Sequence, residues 1–193
     1  MILIEKLQRN KGENPAEFEQ VLRSICNMLA INPSWLMMVM WSESRLNAQA
    51  VNKQPGDIDN PQIRAASRAT GLIQFMPDTA LNLGTTTKAL YAMNAIDQLG
   101  YVYKYFKPWT GKIKSYYDLY LVTFFPDAVG KPDDYILQTK KLSAATIAKQ
   151  NPFFDANKDG KLTVGEIKRR MYESIPKAIV AEVVSEIEKK SLS

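Results

Sequence analysis

The chain has 193 residues, 46% of them hydrophobic, 10% aromatic and 23% charged, with a formal net charge of +5 and a pI near 9.2. That suffices for one apolar core and an appendage, and no apolar run approaches the roughly 20 residues that cross a bilayer. The absence of histidine excludes Ser–His and Cys–His nucleophilic catalysis and His-ligated zinc, and a single cysteine, Cys26, excludes an internal disulfide.

The first residues, MILIEKLQRNKGENPAEF, lack the basic start, apolar stretch and cleavage site of a secretory leader, so none is expected there. Residues 15–30 repeat apolar positions every three or four residues and predict a helix. A second helix is predicted over 33–46, in NPSWLMMVMWSESRLN, where Asn32 can cap and Pro33 fits the first turn. Its spacing places Glu43 on the stripe of Leu36, Val39, Met40 and Leu46. Burying an unpaired carboxylate is expensive, so Glu43 stands out as misplaced, paired or kept dry for use. Trp35, Met37 and Met38 read as core.

The following QAVNKQPGDIDNPQ, with two prolines and Asn/Asp/Gly punctuation, predicts a long surface loop. A short helix is expected over 77–83, opened by Pro77 and stopped before Gly84. Residues 92–106 and 115–125 are aromatic-rich helical patterns, although the composition of SYYDLYLVTFF also suits a strand. Beyond about residue 140 come a helical approach, KKLSAATIAKQNPFF, a polar loop, and a pair of helices broken at Pro176. The expected organisation is a helical body over 1–140 and a small helical module over 141–193.

The polar loop, DANKDGKLTVGE at 155–166, matches the twelve-residue EF-hand calcium loop. Asp155, Asn157 and Asp159 offer side-chain oxygens, and Gly160 allows the sharp turn. Lys161 offers its carbonyl, Thr163 stands where a water-mediated ligand is common, and Glu166 can bind bidentately. The bland alternative is a polar turn between helices. A lone loop favours a structural calcium ion over a sensor, which usually pairs its loops.

WSESRLNAQAVN and AASRATGLIQFMPDTA together resemble the lytic transglycosylases of the soluble lytic transglycosylase type, relatives of goose-type lysozyme. The matching elements are Glu43-Ser44, Asn47, Ala50, Gly71-Leu72-Ile73-Gln74, Pro77 and Thr79-Ala80, and the likeness covers about residues 20–130. Arg68 departs from the family's usual glycine. The family's Ala-Tyr-Asn-Ala-Gly signature is not recognisable, with Phe124 or Phe125 where its tyrosine is usual. The resemblance implies a mainly α, lysozyme-like domain followed here by the EF-hand-like module. It also implies action on peptidoglycan, with Glu43 as catalytic acid. Gln74 and the Ile73 backbone would hold substrate amides, Ser67 would bond the acid or sugar, and Phe125 would line the sugar site. Tyr116, Tyr117 and Tyr120 divide between sugar stacking and core, with core expected for at least two of the three.

Cutting the β-1,4 bond after N-acetylmuramic acid requires an acid still protonated near neutral pH, and an apolar setting raises a carboxyl's pKa toward that. In the transglycosylase route Glu43 protonates the leaving oxygen, then takes the proton of the muramic acid 6-hydroxyl, leaving a 1,6-anhydro end. The hydrolytic route needs a second carboxylate, for which Asp57, Asp59 and Asp127 are available. A non-catalytic wall-gripping tail protein and a calcium-responsive interaction protein are the rivals. The scattered lysines match no nucleic-acid motif, so no nucleic acid is expected as partner, while an anionic wall polymer suits the charge. The expected place of action is the bacterial cell wall or periplasm. Delivery by a phage particle, a phage-like injection device or holin-type release is expected, with phage or injection-device proteins as partners.

Overall fold

Asparagine followed by proline opens three of the helices among the described residues. In the computed structural model, which describes residues 1–184, these are α1 (Pro15–Leu29), α2 (Pro33–Ser44) and α3 (Pro61–Arg64). The side chains of Asn14, Asn32 and Asn60 accept from the first free amides of each helix, and the proline occupies a position where a missing N–H costs nothing. The remaining α-helices are α4 (Pro77–Asn82), α5 (Thr87–Ala92), α6 (Ala95–Phe106), α7 (Tyr116–Phe124), α8 (Ala144–Gln150), α9 (Val164–Ser174) and α10 (Val180–Val183). Among the described residues there is no strand, only isolated antiparallel bridges at Val51–Thr70, Thr70–Phe75 and Ile136–Thr163. The fold is mainly α, as the sequence predicts.

Backbone contacts divide the chain into two units, Met1–Lys112 and Ile113–Ser193. The core of the first is built on α2, where Leu36, Met37, Met38, Val39 and Met40 are buried in succession, so the helix is enclosed on every side of that stretch. Each such side chain contributes about 1.5–3 kcal/mol by leaving water. The amphipathic helices α1 and α6 pack on each other, with Phe18, Leu22, Ile25, Cys26 and Leu29 buried on α1 and Ala95, Leu99, Val102 and Phe106 on α6. Glu13, itself buried, seals the start of α6: its carboxylate accepts from Ala95 N at 3.0 Å and Lys11 N at 2.9 Å. A carboxylate there also meets the positive end of the helix.

In the second unit α7 buries Tyr116, Tyr117, Leu119, Tyr120, Leu121 and Val122. This segment is a helix despite its strand-like composition, because Ser115 caps it and the side chains on all its faces find apolar cover. Tyr120 stacks on Phe124 at 5.9 Å, and both rings meet Phe154, at 6.2 and 5.0 Å.

Several boundaries move from the sequence expectation. The second helix stops at Ser44, two residues early, because Arg45 and Leu46 turn left-handed at φ 56° and 57°. The third long helix starts at Ala95, where Asn94 caps it, and the residues before form the separate α5. After Pro176 come a short 3-10 turn and α10; the rest of the helix predicted there lies outside the described residues.

Candidate active site

Glu43 is the penultimate residue of α2, half-buried, in the last turn of a helix whose preceding residues are core. Two successive non-glycine residues in the left-handed region cost on the order of 1 kcal/mol each, and the surroundings hold them there. Leu46 is fully buried, Leu46 N reaches back to Met40 O at 3.4 Å, and Leu46 O accepts from Gln8 N at 3.1 Å. Asn47 Oδ1 accepts from Asn10 Nδ2 and Gln49 N, both at 2.8 Å. The chain therefore turns sharply just after the acid and is braced from the N-terminal segment.

The segment bonded to the end of α2 is a tight turn over residues 70–75. Thr70 and Phe75 exchange both backbone hydrogen bonds, at 3.1 and 2.9 Å, and Gly71 N donates to Ala50 O at 2.8 Å. Two side chains fasten this turn to the helices. Ser44, next to Glu43 and buried, donates from Oγ toward Met40 O at 3.0 Å and Leu72 O at 2.9 Å. Gln98 of α6, fully buried, accepts from Leu72 N at 2.9 Å and donates to Ala48 O and Leu90 O at 2.7 and 2.8 Å. Gly71 is required by this arrangement: its φ is +88°, and a Cβ there would stand 2.5 Å from Gln98 Oε1.

Tyr105, on α6, meets the edge of Phe75 at 6.3 Å and of Phe106 at 5.0 Å. Burial, and then the negative charge of Glu43, push its phenol up to about 12, so the hydroxyl stays protonated at any working pH. Glu43 and Tyr105 thus share one electrostatic neighbourhood. Trp41, one turn before Arg45, carries that guanidinium over its ring at 4.9 Å.

The other expected positions fall as follows. Ile73 is buried in the turn and Gln74 half-buried at φ 51°. Gln74 Nε2 donates to Ala50 O at 3.2 Å and Gly71 O at 3.1 Å, which ties this amide group to the turn itself. Ser67 is exposed, its N–H donating to Arg64 O at 2.9 Å. Arg68 grips Asp57 through two bonds, at 2.9 and 2.5 Å. That guanidinium and the amide of Gln54 hold the Asp57 carboxyl down at about 2. Lys53 bonds Asp59 at 2.8 Å and lowers its carboxyl too. Asp127 is exposed in the second unit, where Tyr120 is buried and Phe125 half-buried. Gln98 and Tyr105 escape sequence reading. The signal for Gln98 was a polar residue at core spacing in α6.

Residues 155–166 form a hydrogen-bonded loop. Asp155 Oδ2 accepts from Gly160 N at 3.2 Å, Asn157 Oδ1 from Asp159 N at 3.0 Å, and Asp159 Oδ1 from Lys161 N at 2.9 Å. Thr163 and Glu166 form a capping box that opens α9. Among the described residues no group of three or more His, Cys, Asp or Glu side chains is gathered to hold a metal. Yet Asp155 Oδ1 and Glu166 Oε1 are both buried without a hydrogen-bond partner. Such oxygens are costly unless a cation satisfies them.

Residues 21–116 match the family model of the transglycosylase SLT domain. The match supports the SLT, lysozyme-like family, and the helical fold agrees with it. The SLT segment contains Glu43, the 70–75 turn, Gln98 and Tyr105, and ends before Tyr120 and the 155–166 loop. No curated protein and no solved structure matches the chain.

Proposed function

We propose that this chain is a lytic transglycosylase that cuts peptidoglycan glycan strands with Glu43 as its one acid–base group. The observation that carries the reading is the position of Glu43 within the SLT segment: half-buried, in the last turn of α2 and in the neighbourhood of Tyr105. The negative end of a helix and an apolar core both disfavour the ionised carboxylate, which suits a group that must hold a proton near neutral pH. Glu43 gives that proton to the glycosidic oxygen as the C1–O bond breaks. It then removes the proton of the muramic acid 6-hydroxyl as O6 closes onto C1, which returns the acid to its starting state and leaves a 1,6-anhydro end. Of the carboxylates that a hydrolytic route would need, Asp57 and Asp59 are already bound by Arg68 and Lys53, which leaves the exposed Asp127.

Glu43→Gln keeps the shape and removes the transferable proton. Cleavage of purified peptidoglycan is expected to fall by about 10²–10⁴-fold, with the melting temperature unchanged, and wild-type digests analysed by mass spectrometry should contain anhydro ends. Full activity in Glu43→Gln would end the proposal, and reducing ends alone would convert it to a hydrolase.

The second part of the reading is a structural calcium ion in the 155–166 loop. Asp155, Asn157, Asp159 and Glu166 would supply side-chain oxygens, Lys161 its carbonyl, and Thr163 a water-mediated contact. The two buried, unpartnered carboxylate oxygens support it. The ion would supply positive charge that lets these oxygens stay buried, and nothing to the bond cleavage. Calcium at 100 times its dissociation constant stabilises a protein by about 2.7 kcal/mol, which for a chain of this size raises the melting temperature by about 5–10 °C. Asp155→Ala should abolish that rise, and equal melting in calcium and in chelator would refute the site.

A further inference from the structure

EF-hand loops ordinarily meet a second loop across a short antiparallel bridge, and the sequence contains one such loop. The partner position is nevertheless filled. Leu137 N donates to Leu162 O at 2.8 Å, Val164 N to Tyr135 O at 3.1 Å, and Gly165 N to Asp133 O at 2.8 Å, around the Ile136–Thr163 bridge. Lys168 Nζ adds an ion pair to Asp133 at 2.6 Å. Leu137 and Leu162 are fully buried. At its other end the loop is entered from Phe154, whose ring packs on Tyr120 and Phe124 of α7.

We infer that the segment 133–139 is the built-in partner of the calcium loop, so that a single ion, taken up by a monomer, orders this strap together with the loop. The inference rests on the calcium reading above and extends it to residues outside the motif. The physical reason is that the strap bonds the loop's backbone through residues 162–165, between the carbonyl ligand Lys161 and the carboxylate ligand Glu166. Drawing the ligands onto an ion therefore tightens the strap's hydrogen bonds, and a displaced strap loosens the ligands. Two ions, or a second copy of the chain, are not needed to complete the site.

Three measurements on the full chain test this, with calcium chloride as the probe. Titration calorimetry should return one ion per chain, and size-exclusion chromatography a monomer with and without calcium. Hydrogen exchange should slow on calcium addition at Leu137, Val164 and Gly165 as well as within 155–161. Gly165→Ala provides a sign test. A Cβ there would stand 3.2 Å from Asp133 O and 3.3 Å from Asp133 Cβ, so the strap must shift. The expected result is calcium affinity weakened roughly 3–10-fold. Were the strap uninvolved, Ala would only favour the first turn of α9 and leave the affinity unchanged or improved. Calcium-driven dimerisation, two ions per chain, unchanged exchange at Leu137, or wild-type affinity in Gly165→Ala would each overturn the inference while leaving the calcium site standing. No calcium uptake at all would remove both, and would leave the Glu43 reading untouched.

Discussion

Gly71→Ala tests the way the acid's neighbouring turn is held. The residue sits at φ +88°, where an alanine costs about 1–2 kcal/mol. Its new Cβ would also stand 2.5 Å from Gln98 Oε1, closer than such atoms approach, so the buried amide must withdraw. Withdrawal strains or breaks the 2.9 Å bond from Leu72 N, and a buried N–H left without a partner costs about 1–3 kcal/mol. The sum is a loss of about 2–5 kcal/mol, or a melting temperature lower by about 4–20 °C. Gln98→Ala alone should lose a similar amount, because Leu72 N, Ala48 O and Leu90 O all lose their partner. The double variant decides the mechanism. With the amide gone, Gly71→Ala has nothing to strike and should add only its backbone cost. The two changes should then couple by about 1–3 kcal/mol in urea unfolding followed by circular dichroism. Additivity within about 0.5 kcal/mol would refute the clash.

Ser44→Ala removes the hydroxyl that joins the end of α2 to Leu72. Stability should fall by about 1 kcal/mol, whereas peptidoglycan turnover should fall roughly tenfold because the turn beside Glu43 loses register; loss of both in proportion would point to a purely structural role. The Asp57–Arg68 pair makes the 52–68 loop sensitive to acid. The folded carboxyl, near 2, lies below the unfolded value of about 3.9. Its stabilisation is therefore complete above pH 4 and lost as pH falls from about 4 to 2. Proteolytic nicking of this loop by an acid-active protease should rise across that window, and Asp57→Asn should show the raised rate at every pH.

The sequence by itself determined where several helices start and the chemistry on offer. Asn-Pro pairs write helix starts locally, because an asparagine oxygen and a residue without an N–H satisfy the first turn wherever they occur. The missing histidines left carboxylates, tyrosines, lysines or an oxygen-bound metal ion to carry any reaction, and the conspicuous acid at the end of an apolar helix marked Glu43. The EF-hand-like pattern at 155–166 was equally legible, since the residue types it needs recur at fixed spacing along one short stretch.

Only the tertiary structure decided how these parts are held. The stop of α2 at Ser44 depends on two left-handed residues that distant anchors, Gln8 and Asn10, keep in place. The helical state of Tyr116–Phe124 depends on cover from side chains far along the chain, such as Phe154. Gln98 is meaningful only once α6 lies beside the 70–75 turn, and 133–139 only once it lies along residues 162–165. In each case the deciding contact joins residues separated by tens of positions. Local spacing carries no record of such partners, because their encounter is set by the packing of whole helices.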